Sequence, residues 1–232
     1  MSVVGMVPRA MLVAVETPVR PLPRGRHRLA RAEVVSSQRT RMLYGMAEAM
    51  MEKGYVDTTV ADVIKRAGVS RETFYQQFSS KADCFLSAFD AAAALLIGAI
   101  EQASHLEFDA LTAGDGRDAD TRIEQFDRAL GLYLDTLADN APVARLFLVE
   151  VYAAGPEAIR RRRALHDRIV TVVAGVLGIA ADDDGGRFAC DVLVNAIASM
   201  VTEPLVSPEP ERLRDLREPI VALVRRASLQ AG

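Results

Sequence analysis

Apolar residues recur along most of the chain at intervals of three and four, the spacing of helices that each bury one face. One such pattern covers residues 35–53 and stops at Gly54, a residue typical of helix ends. After a short loop, apolar side chains return at Val60 and at the third, fourth and seventh positions after it, behind Thr59 and Asp62 in the spacing of a capping box. This pattern predicts a second, short helix.

A tight turn and a third short helix follow. Gly68 can adopt the left-handed backbone conformation of a sharp turn, and Ser70 can cap a helix that continues through Gln76. Phe74 and Phe78 lie four residues apart and would face a core, which leaves the polar side chains outside. Two short helices joined by a glycine turn form a helix-turn-helix unit, whose exposed donors can bind phosphates or the edges of bases.

The rest of the chain also has helical patterns, so the sequence predicts an all-α fold. Ser80 and Asp83 have capping-box spacing ahead of a long fourth helix over residues 81–104. Four consecutive arginines at 160–163 cannot share one side of a helix, and we interpret them as a solvated band rather than a second nucleic-acid site. Pro204 is expected to end a helix over residues 185–203, and Ser207 to cap a last one that starts at Pro208.

The last two predicted helices are amphipathic neighbours, and such a pair can bind a two-fold copy of itself. We therefore expect a homodimer through these helices. A dimer is also what two DNA half-sites one helical turn apart require, at a separation of roughly 34–36 Å.

Charge is divided unevenly along the chain, although the net charge is only −3. Residues 1–90 contain 13 basic and 9 acidic side chains, whereas the remainder contains 15 basic and 22 acidic ones. Residues 20–31 are rich in arginine, among them Arg24, Arg26 and Arg28, and contain no acidic side chain. A basic segment placed just before a DNA-reading unit can enter a narrow minor groove, and we interpret residues 1–33 as a flexible basic arm.

Several linked motifs between residues 39 and 89 resemble the DNA-binding domain of TetR-family (TetR/AcrR) transcriptional regulators. They are Glu52-Lys53-Gly54-Tyr55, Thr58-Thr59-Val60-Ala61-Asp62-Val63-Ile64, Ala67-Gly68-Val69-Ser70, Thr73-Phe74-Tyr75-Gln76-Gln77-Phe78 and Ser80-Lys81. Outside this segment, the chain is compatible with the family only in helical pattern and length. The resemblance implies that the third helix enters the major groove and that the last two helices form a dimer.

The same resemblance assigns roles to individual residues. It implies phosphate contacts from Thr59, Tyr75 and Lys81, while the candidate base readers are Ser70, Arg71, Thr73 and Gln76. Glu72 departs from the family pattern, in which a small residue is common at this position. Its carboxylate would repel phosphate unless it accepts a hydrogen bond from cytosine or pairs with Arg71 or the arm.

The helices that follow can enclose an effector pocket with an apolar lining and a few polar groups. Its nominated residues are Phe126, Tyr133, Phe147, Glu150, Tyr152 and His166, although ordinary helix packing explains each of them as well. No nucleophile motif, metal-ligand triplet or glycine-rich phosphate loop accompanies them, so we expect neither a catalytic site, nor a metal, nor a cofactor.

These observations predict a flexible basic arm over residues 1–33, a helix-turn-helix domain over residues 34–80 and a helical ligand-binding and dimerisation domain over residues 81–232. The predicted function is a dimeric repressor that leaves a pseudo-palindromic double-stranded operator when a small apolar or amphipathic molecule binds. The alternative is a helical enzyme or protein-interaction module with an incidental helix-turn-helix. Within the regulator class, activation, or repression without a ligand, would need the same N-terminal residues. The longest apolar stretches of the chain are too short to cross a bilayer, and we expect a cytoplasmic protein without membrane contact.

Overall fold

A computed structural model describes residues 31–104, 118–207 and 209–230, which are helical and contain no β-strand. The α-helices are α1 Arg31–Asp57, α2 Val60–Ala67, α3 Arg71–Gln77, α4 Lys81–Ser104, α5 Ala119–Asp139, α6 Ala141–Leu148, α7 Pro156–Leu177, α8 Asp184–Val206 and α9 Arg217–Gln230. Two 3-10 segments, Glu150–Tyr152 and Pro210–Leu216, lie between them. The predicted all-α fold is confirmed. The chain divides into two compact units, and the division falls inside α4 between Ala88 and Phe89.

The first helix begins at Arg31, so the last three residues of the predicted arm are helical rather than flexible. The predicted stop at Gly54 is confirmed, because its backbone leaves the helical conformation there (φ 74°, ψ 168°) before the last residues up to Asp57. The remainder of the predicted arm, with Arg24, Arg26 and Arg28, lies outside the described residues.

The ends of α2 and α3 follow the local signals in the sequence. The Thr59 hydroxyl accepts a hydrogen bond from the Asp62 backbone N–H at 3.2 Å, and the Asp62 carboxylate accepts one from the Thr59 backbone N–H at 2.9 Å, which completes the capping box. Gly68 ends α2 in the left-handed conformation (φ 61°, ψ 43°), where a side chain would be strained. The Ser70 hydroxyl then caps α3 by accepting from the Thr73 backbone N–H at 3.0 Å.

The first unit is held together by a core of aromatic and methionine side chains. Phe74 is fully buried and packs on Phe78, with a ring separation of 5.5 Å. Arg39 of α1 lies over the Phe78 ring at 4.5 Å and donates to the Gln77 carbonyl at 3.3 Å. These contacts determine which side of α3 faces the core, and therefore which side faces the solvent. Other buried members of this core are Met42, Met46, Met50, Val63 and Phe85.

The start of α4 differs in one detail from the predicted capping box. The Ser80 hydroxyl accepts from the Asp83 backbone N–H at 3.1 Å as expected, but the Asp83 carboxylate accepts from the backbone N–H of Ser79 at 2.8 Å instead of that of Ser80. The Ser79 hydroxyl donates to the same carboxylate at 3.0 Å.

The second unit packs its helices around one large apolar core. The core is formed by the end of α4, by α5 and α7, by the buried side of α8, and by the C-terminal segment through Leu213, Ile220 and Val224. A smaller cluster between α7 and α8 includes the buried thiol of Cys190. Cys190 and Cys84 are both free and buried, and burial raises the pKa of the Cys84 thiol to about 12.

The predicted helix break at Pro204 is wrong, because α8 continues through this residue to Val206. The last turn is anchored by Leu205, which is buried in the large core and whose carbonyl accepts from Arg145 at 3.2 Å. This packing compensates for the hydrogen bond that proline cannot donate. Ser207 ends α8 instead of starting the last helix, and the next turn begins at Pro210, while Pro208 lies outside the described residues.

In the described part of the chain, α8 is the one helix whose length and composition would allow it to span a bilayer. Only a third of its most apolar stretch is buried in a single chain. Its apolar character has a simpler source, because one side enters both core clusters and the other side carries exposed apolar residues.

Candidate DNA interface and effector cavity

The outer face of α3 carries a group of exposed polar side chains, formed by Arg71, Glu72, Tyr75 and Gln76. The guanidinium of Arg71 lies 5.6 Å from the centre of the Tyr75 ring, which is close enough for a cation–π contact. The Tyr75 ring also meets Phe74 edge to face at 5.4 Å, so a core contact fixes the ring while its residue stays 47% exposed. The predicted division of α3 into a buried and a polar face is therefore present.

Two of the candidate readers already have partners within the helix cap. The hydroxyls of Ser70 and Thr73 lie 2.9 Å apart, and Ser70 is the cap of α3. Glu72 does not pair with Arg71 in the described structure, because its carboxylate instead accepts from the Gln76 side-chain amide at 3.3 Å. A base that binds Gln76 would have to compete with this contact.

The donors of Thr59 are both used in its capping box. Its hydroxyl donates to the Asp62 carboxylate at 2.7 Å, and its backbone N–H donates to the same group. Hydrogen bonds from Lys53, at 2.6 Å, and from Thr59 hold the pKa of Asp62 well below its usual range. Asp62 therefore stabilises the folded protein at pH values above the ordinary carboxylate pKa. This contribution is lost in acid, as the pH falls through the lowered pKa that Asp62 has in the folded state.

Lys81 is held by the end of α1. Its ammonium donates to the backbone carbonyls of Tyr55 at 2.8 Å and Val56 at 3.2 Å, and it lies 4.3 Å from the centre of the Tyr55 ring. An ammonium has three donors, so one remains for a phosphate. Sequence reasoning missed these partners, since they are 25 and 26 residues away.

We expect Lys81→Met to lower the free energy of unfolding by about 1–2 kcal/mol, because it removes two charge-assisted hydrogen bonds and the contact with the Tyr55 ring. Urea denaturation measures the effect. The matched control is Lys65→Met on exposed α2 surface, which should change stability little. Equal stability of the two variants would contradict a structural role for Lys81.

The second unit contains a cavity of about 100 Å³ that is lined mainly by apolar side chains. The walls come from the part of α4 beyond Phe89 and from α5, α6, α7 and α8. Three of the nominated residues, Phe126, Tyr133 and His166, are among the lining residues. The others that line it are Leu96, Ile100, Ala129, Leu130, Leu137, Leu148, Arg162, Leu165, Ile169, Val172, Val173, Val176, Val194, Ile197 and Ala198.

Two of the other nominated residues, Glu150 and Tyr152, do not form this wall. Glu150 is buried, but its carboxylate faces Arg145 at 3.5 Å instead of the cavity. Tyr152 is 58% exposed and lies under the guanidinium of Arg162. Both belong to a 3-10 turn between α6 and α7 rather than to an α-helix. The side chain of Phe147 lies outside the described part of the structure, so its nomination stays a prediction.

Arg162 is a lining residue that the sequence interpretation missed. The four arginines were interpreted as a solvated band, yet Arg162 lines the cavity while Arg163 is exposed. The spacing of the sequence could have indicated this position. Arg162 precedes His166, Ile169 and Val173 at intervals of four, three and four residues, which places all of them on one face of α7.

His166 contacts α8, and its Nε2 lies 2.6 Å from the Asp191 carboxylate and 3.3 Å from the Asn195 amide nitrogen. Burial raises the pKa of Tyr133, so its phenol keeps its proton and can donate in the cavity. Among the residues that the structure describes, no group of three or more His, Cys, Asp or Glu side chains could hold a metal ion.

An exposed apolar stripe runs along α8 on the side away from the core. It is formed by Phe188, Val192, Ala196 and Met200, which recur every four residues, and we call it the α8 face. Phe188 is 69% exposed in the single chain. Leu223 on α9 is another large exposed apolar side chain. Stripes of this kind on a folded surface indicate contact with a partner.

Residues 46–88 match the family model for bacterial regulatory proteins of the tetR family. Comparison with curated protein sequences finds no match. Among solved structures, the fatty acid degradation regulator FadR from Bacillus halodurans has a TM-score of 0.67 at 17% identity, over 81% of this chain and 94% of that one. FadR from Bacillus subtilis in complex with stearoyl-CoA has a TM-score of 0.65 at 17% identity, over 80% and 96%.

SmeT, the repressor of the Stenotrophomonas maltophilia multidrug efflux pump SmeDEF, also has a similar fold, with a TM-score of 0.60 at 17% identity over 82% of this chain and 89% of that one. The match of residues 46–88 covers the helix-turn-helix and the start of α4. The chain therefore contains a domain of the tetR family of bacterial regulatory proteins, and its fold is similar to those of FadR and SmeT.

Proposed function

We propose that the protein is a homodimeric transcriptional repressor that binds a pseudo-palindromic operator in the cytoplasm and leaves it when a small apolar or amphipathic effector binds. The observation that carries this proposal is α3, whose polar face is exposed and whose other face is fixed by Phe74 and Phe78. This helix lies within the segment that matches the tetR family. A rigid helix with exposed Arg, Tyr and Gln side chains suits the major groove.

The proposed DNA contacts divide into two kinds. Tyr75, Thr59 and Lys81 hold phosphates. Lys81 uses the donor that the backbone carbonyls leave over, and Thr59 has to exchange its hydroxyl hydrogen bond to Asp62 for one to the phosphate. Ser70, Arg71, Thr73 and Gln76 read bases, with Arg71 favouring guanine and Gln76 favouring adenine. Arg24, Arg26 and Arg28 reach the adjacent minor groove.

The proposed dimer forms through the α8 face and α9. Phe188, Val192 and Met200 are exposed in a single chain, and the face carries few charges. Its contact with a second copy would remove these apolar groups from water. A symmetric pair also presents two copies of α3, as two half-sites demand.

The proposed effector site is the cavity of the second unit. The transcriptional regulator FadR of Bacillus subtilis, which has a similar fold, was solved in complex with stearoyl-CoA, and this supports a fold that accepts amphipathic ligands. Leu96 and Ile100 connect the cavity wall to α4, the helix that starts at Lys81. An effector that lowers operator affinity a hundredfold must favour the DNA-incompetent state by about 2.7 kcal/mol, because each 1.4 kcal/mol corresponds to a factor of ten.

A gel shift with the DNA upstream of the protein's own gene tests this function. We expect a complex that survives excess random DNA and weakens steeply as salt rises, because phosphate contacts release counterions. The competing function, an enzyme or interaction module with an incidental helix-turn-helix, predicts equal affinity for every duplex or none. An affinity that hardly changes with salt would contradict the phosphate roles.

A further inference from the structure

The cavity in the second unit has an uneven distribution of charge. Arg162 and His166 are the lining residues that can carry a positive charge, and they lie one turn apart on α7. None of the described lining residues is acidic, and Tyr133 is the remaining polar member. Any charge that the protein presents to this cavity is therefore positive.

Several carboxylates on the helices that form the cavity wall pair with cations other than Arg162. Asp191 pairs with His166 at 2.6 Å, which compensates the imidazole when it is protonated. Glu157 accepts from Arg160 at 3.1 Å and from Arg161 at 3.2 Å, and Arg161 also binds Asp90. These pairs leave Arg162 as the uncompensated charge of the cavity wall.

Part of the guanidinium of Arg162 lacks a hydrogen-bond partner. Its Nε is buried and has no hydrogen-bond partner, and no carboxylate among the described residues forms an ion pair with it. The guanidinium lies over the ring of Tyr152, 5.2 Å from its centre, and its charge also acts on the phenol of Tyr133. Arginine cannot lose its proton to escape the cost of burial, so an anion is the partner that this site lacks.

We propose that the cavity binds an anionic amphiphile, a carboxylate on a small hydrocarbon or aromatic body, whose head group contacts Arg162 and whose body lies among the apolar side chains. This inference rests on the proposed function, since it specifies the effector of the same site. Planar, charged donors of arginine match a carboxylate better than they match a hydroxyl. The neutral phenol of Tyr133 supplies a further donor.

The size of the cavity limits the body of the ligand. An engineered apolar cavity of about 150 Å³ holds benzene, and the cavity here has about 100 Å³. A benzene-sized body or a short alkyl chain is therefore close to what the site accepts without movement of its walls. Longer chains require side chains such as Leu148 or Leu165 to move.

Calorimetric titration of the full chain tests the head group. The probes are hexanoate, octanoate and decanoate, each compared with the alcohol and the primary amine of the same chain length. We expect the carboxylate of at least one length to bind about tenfold more tightly than its alcohol, with the amine weakest, because one charge-assisted hydrogen bond contributes about that factor. Equal or tighter binding of the alcohols, or no binding by any probe, would overturn the proposal.

Variants assign the preference to one residue. Arg162→Met should abolish the difference between carboxylate and alcohol, while Arg162→Lys should keep part of it. The control is Arg163→Met, the exposed neighbour on α7, which should retain the wild-type preference. A preference that survives Arg162→Met would contradict the role of Arg162, and the wild-type comparison decides the head group even if this variant does not fold.

A measurement of whether each bound probe releases the operator distinguishes this inference from the proposed function. If carboxylates bind through Arg162 but the protein keeps its DNA, the anionic site is real and effector-controlled repression is wrong. If alcohols release DNA as well as carboxylates do, the repressor function holds and the anionic head group is wrong.

Discussion

Replacing Val192 with aspartate is expected to yield a folded monomer whose operator affinity is lower by at least about a hundredfold. Val192 is 51% exposed at the middle of the α8 face and belongs to neither core cluster, so the single chain should tolerate the change. In the proposed dimer it would bury a carboxylate in an apolar contact, near its symmetry mate. A monomer also loses the effective concentration that couples two half-sites, which contributes a factor of roughly 10²–10⁴.

Sedimentation equilibrium and operator titration, performed on the same preparations, measure both effects. The control is Ile159→Asp, which makes the same kind of change at an exposed apolar position of α7 and should leave the dimer intact. If Val192→Asp remains dimeric and binds the operator normally, the interface lies elsewhere. A wild-type chain that is monomeric at all concentrations would reject the dimer altogether.

Arg71→Ala should lower affinity for the operator by about 1–3 kcal/mol per half-site, or roughly fivefold to 150-fold for each, while affinity for random DNA changes much less. Arg71 is exposed on α3 and its guanidinium contacts the Tyr75 ring, so removal of the side chain leaves the core of the first unit unchanged. The effect should be concentrated at one base pair in each half-site, where guanine loses its advantage.

Tyr75→Phe is the comparison for this experiment. It removes one hydroxyl and keeps the ring against Phe74, so operator and random DNA should weaken by the same factor. Affinities for the two DNAs at fixed salt give the specificity ratio of each variant. A ratio that falls with Tyr75→Phe and stays constant with Arg71→Ala would reverse the proposed roles.

The features that the sequence predicts correctly are local. The capping box of Thr59, the left-handed Gly68 and the Ser70 cap each depend on residues within a few positions, and the inward side of α3 follows from the four-residue spacing of Phe74 and Phe78. Such signals can be read without knowledge of any distant contact.

The features that the sequence does not reveal depend on distant partners. The carbonyls that bind Lys81 end a different helix, and the continuation of α8 through Pro204 depends on the packing of Leu205 and on its contact with Arg145. Glu150 and Tyr152, which belong to a 3-10 turn, do not line the cavity, whereas Arg162 does because it lies on the side of α7 that forms the wall. A correct helix prediction therefore does not determine which neighbours share a cavity.

Methylation interference on a bound operator tests the central claim most directly, since it reports contacts at guanine N7 in the major groove. The proposed symmetric dimer predicts two clusters of interfering guanines about one helical turn apart, both weakened by Arg71→Ala. A pattern without major-groove interference, or a single cluster that the Arg71 variant leaves unchanged, would contradict the placement of α3 against the base pairs.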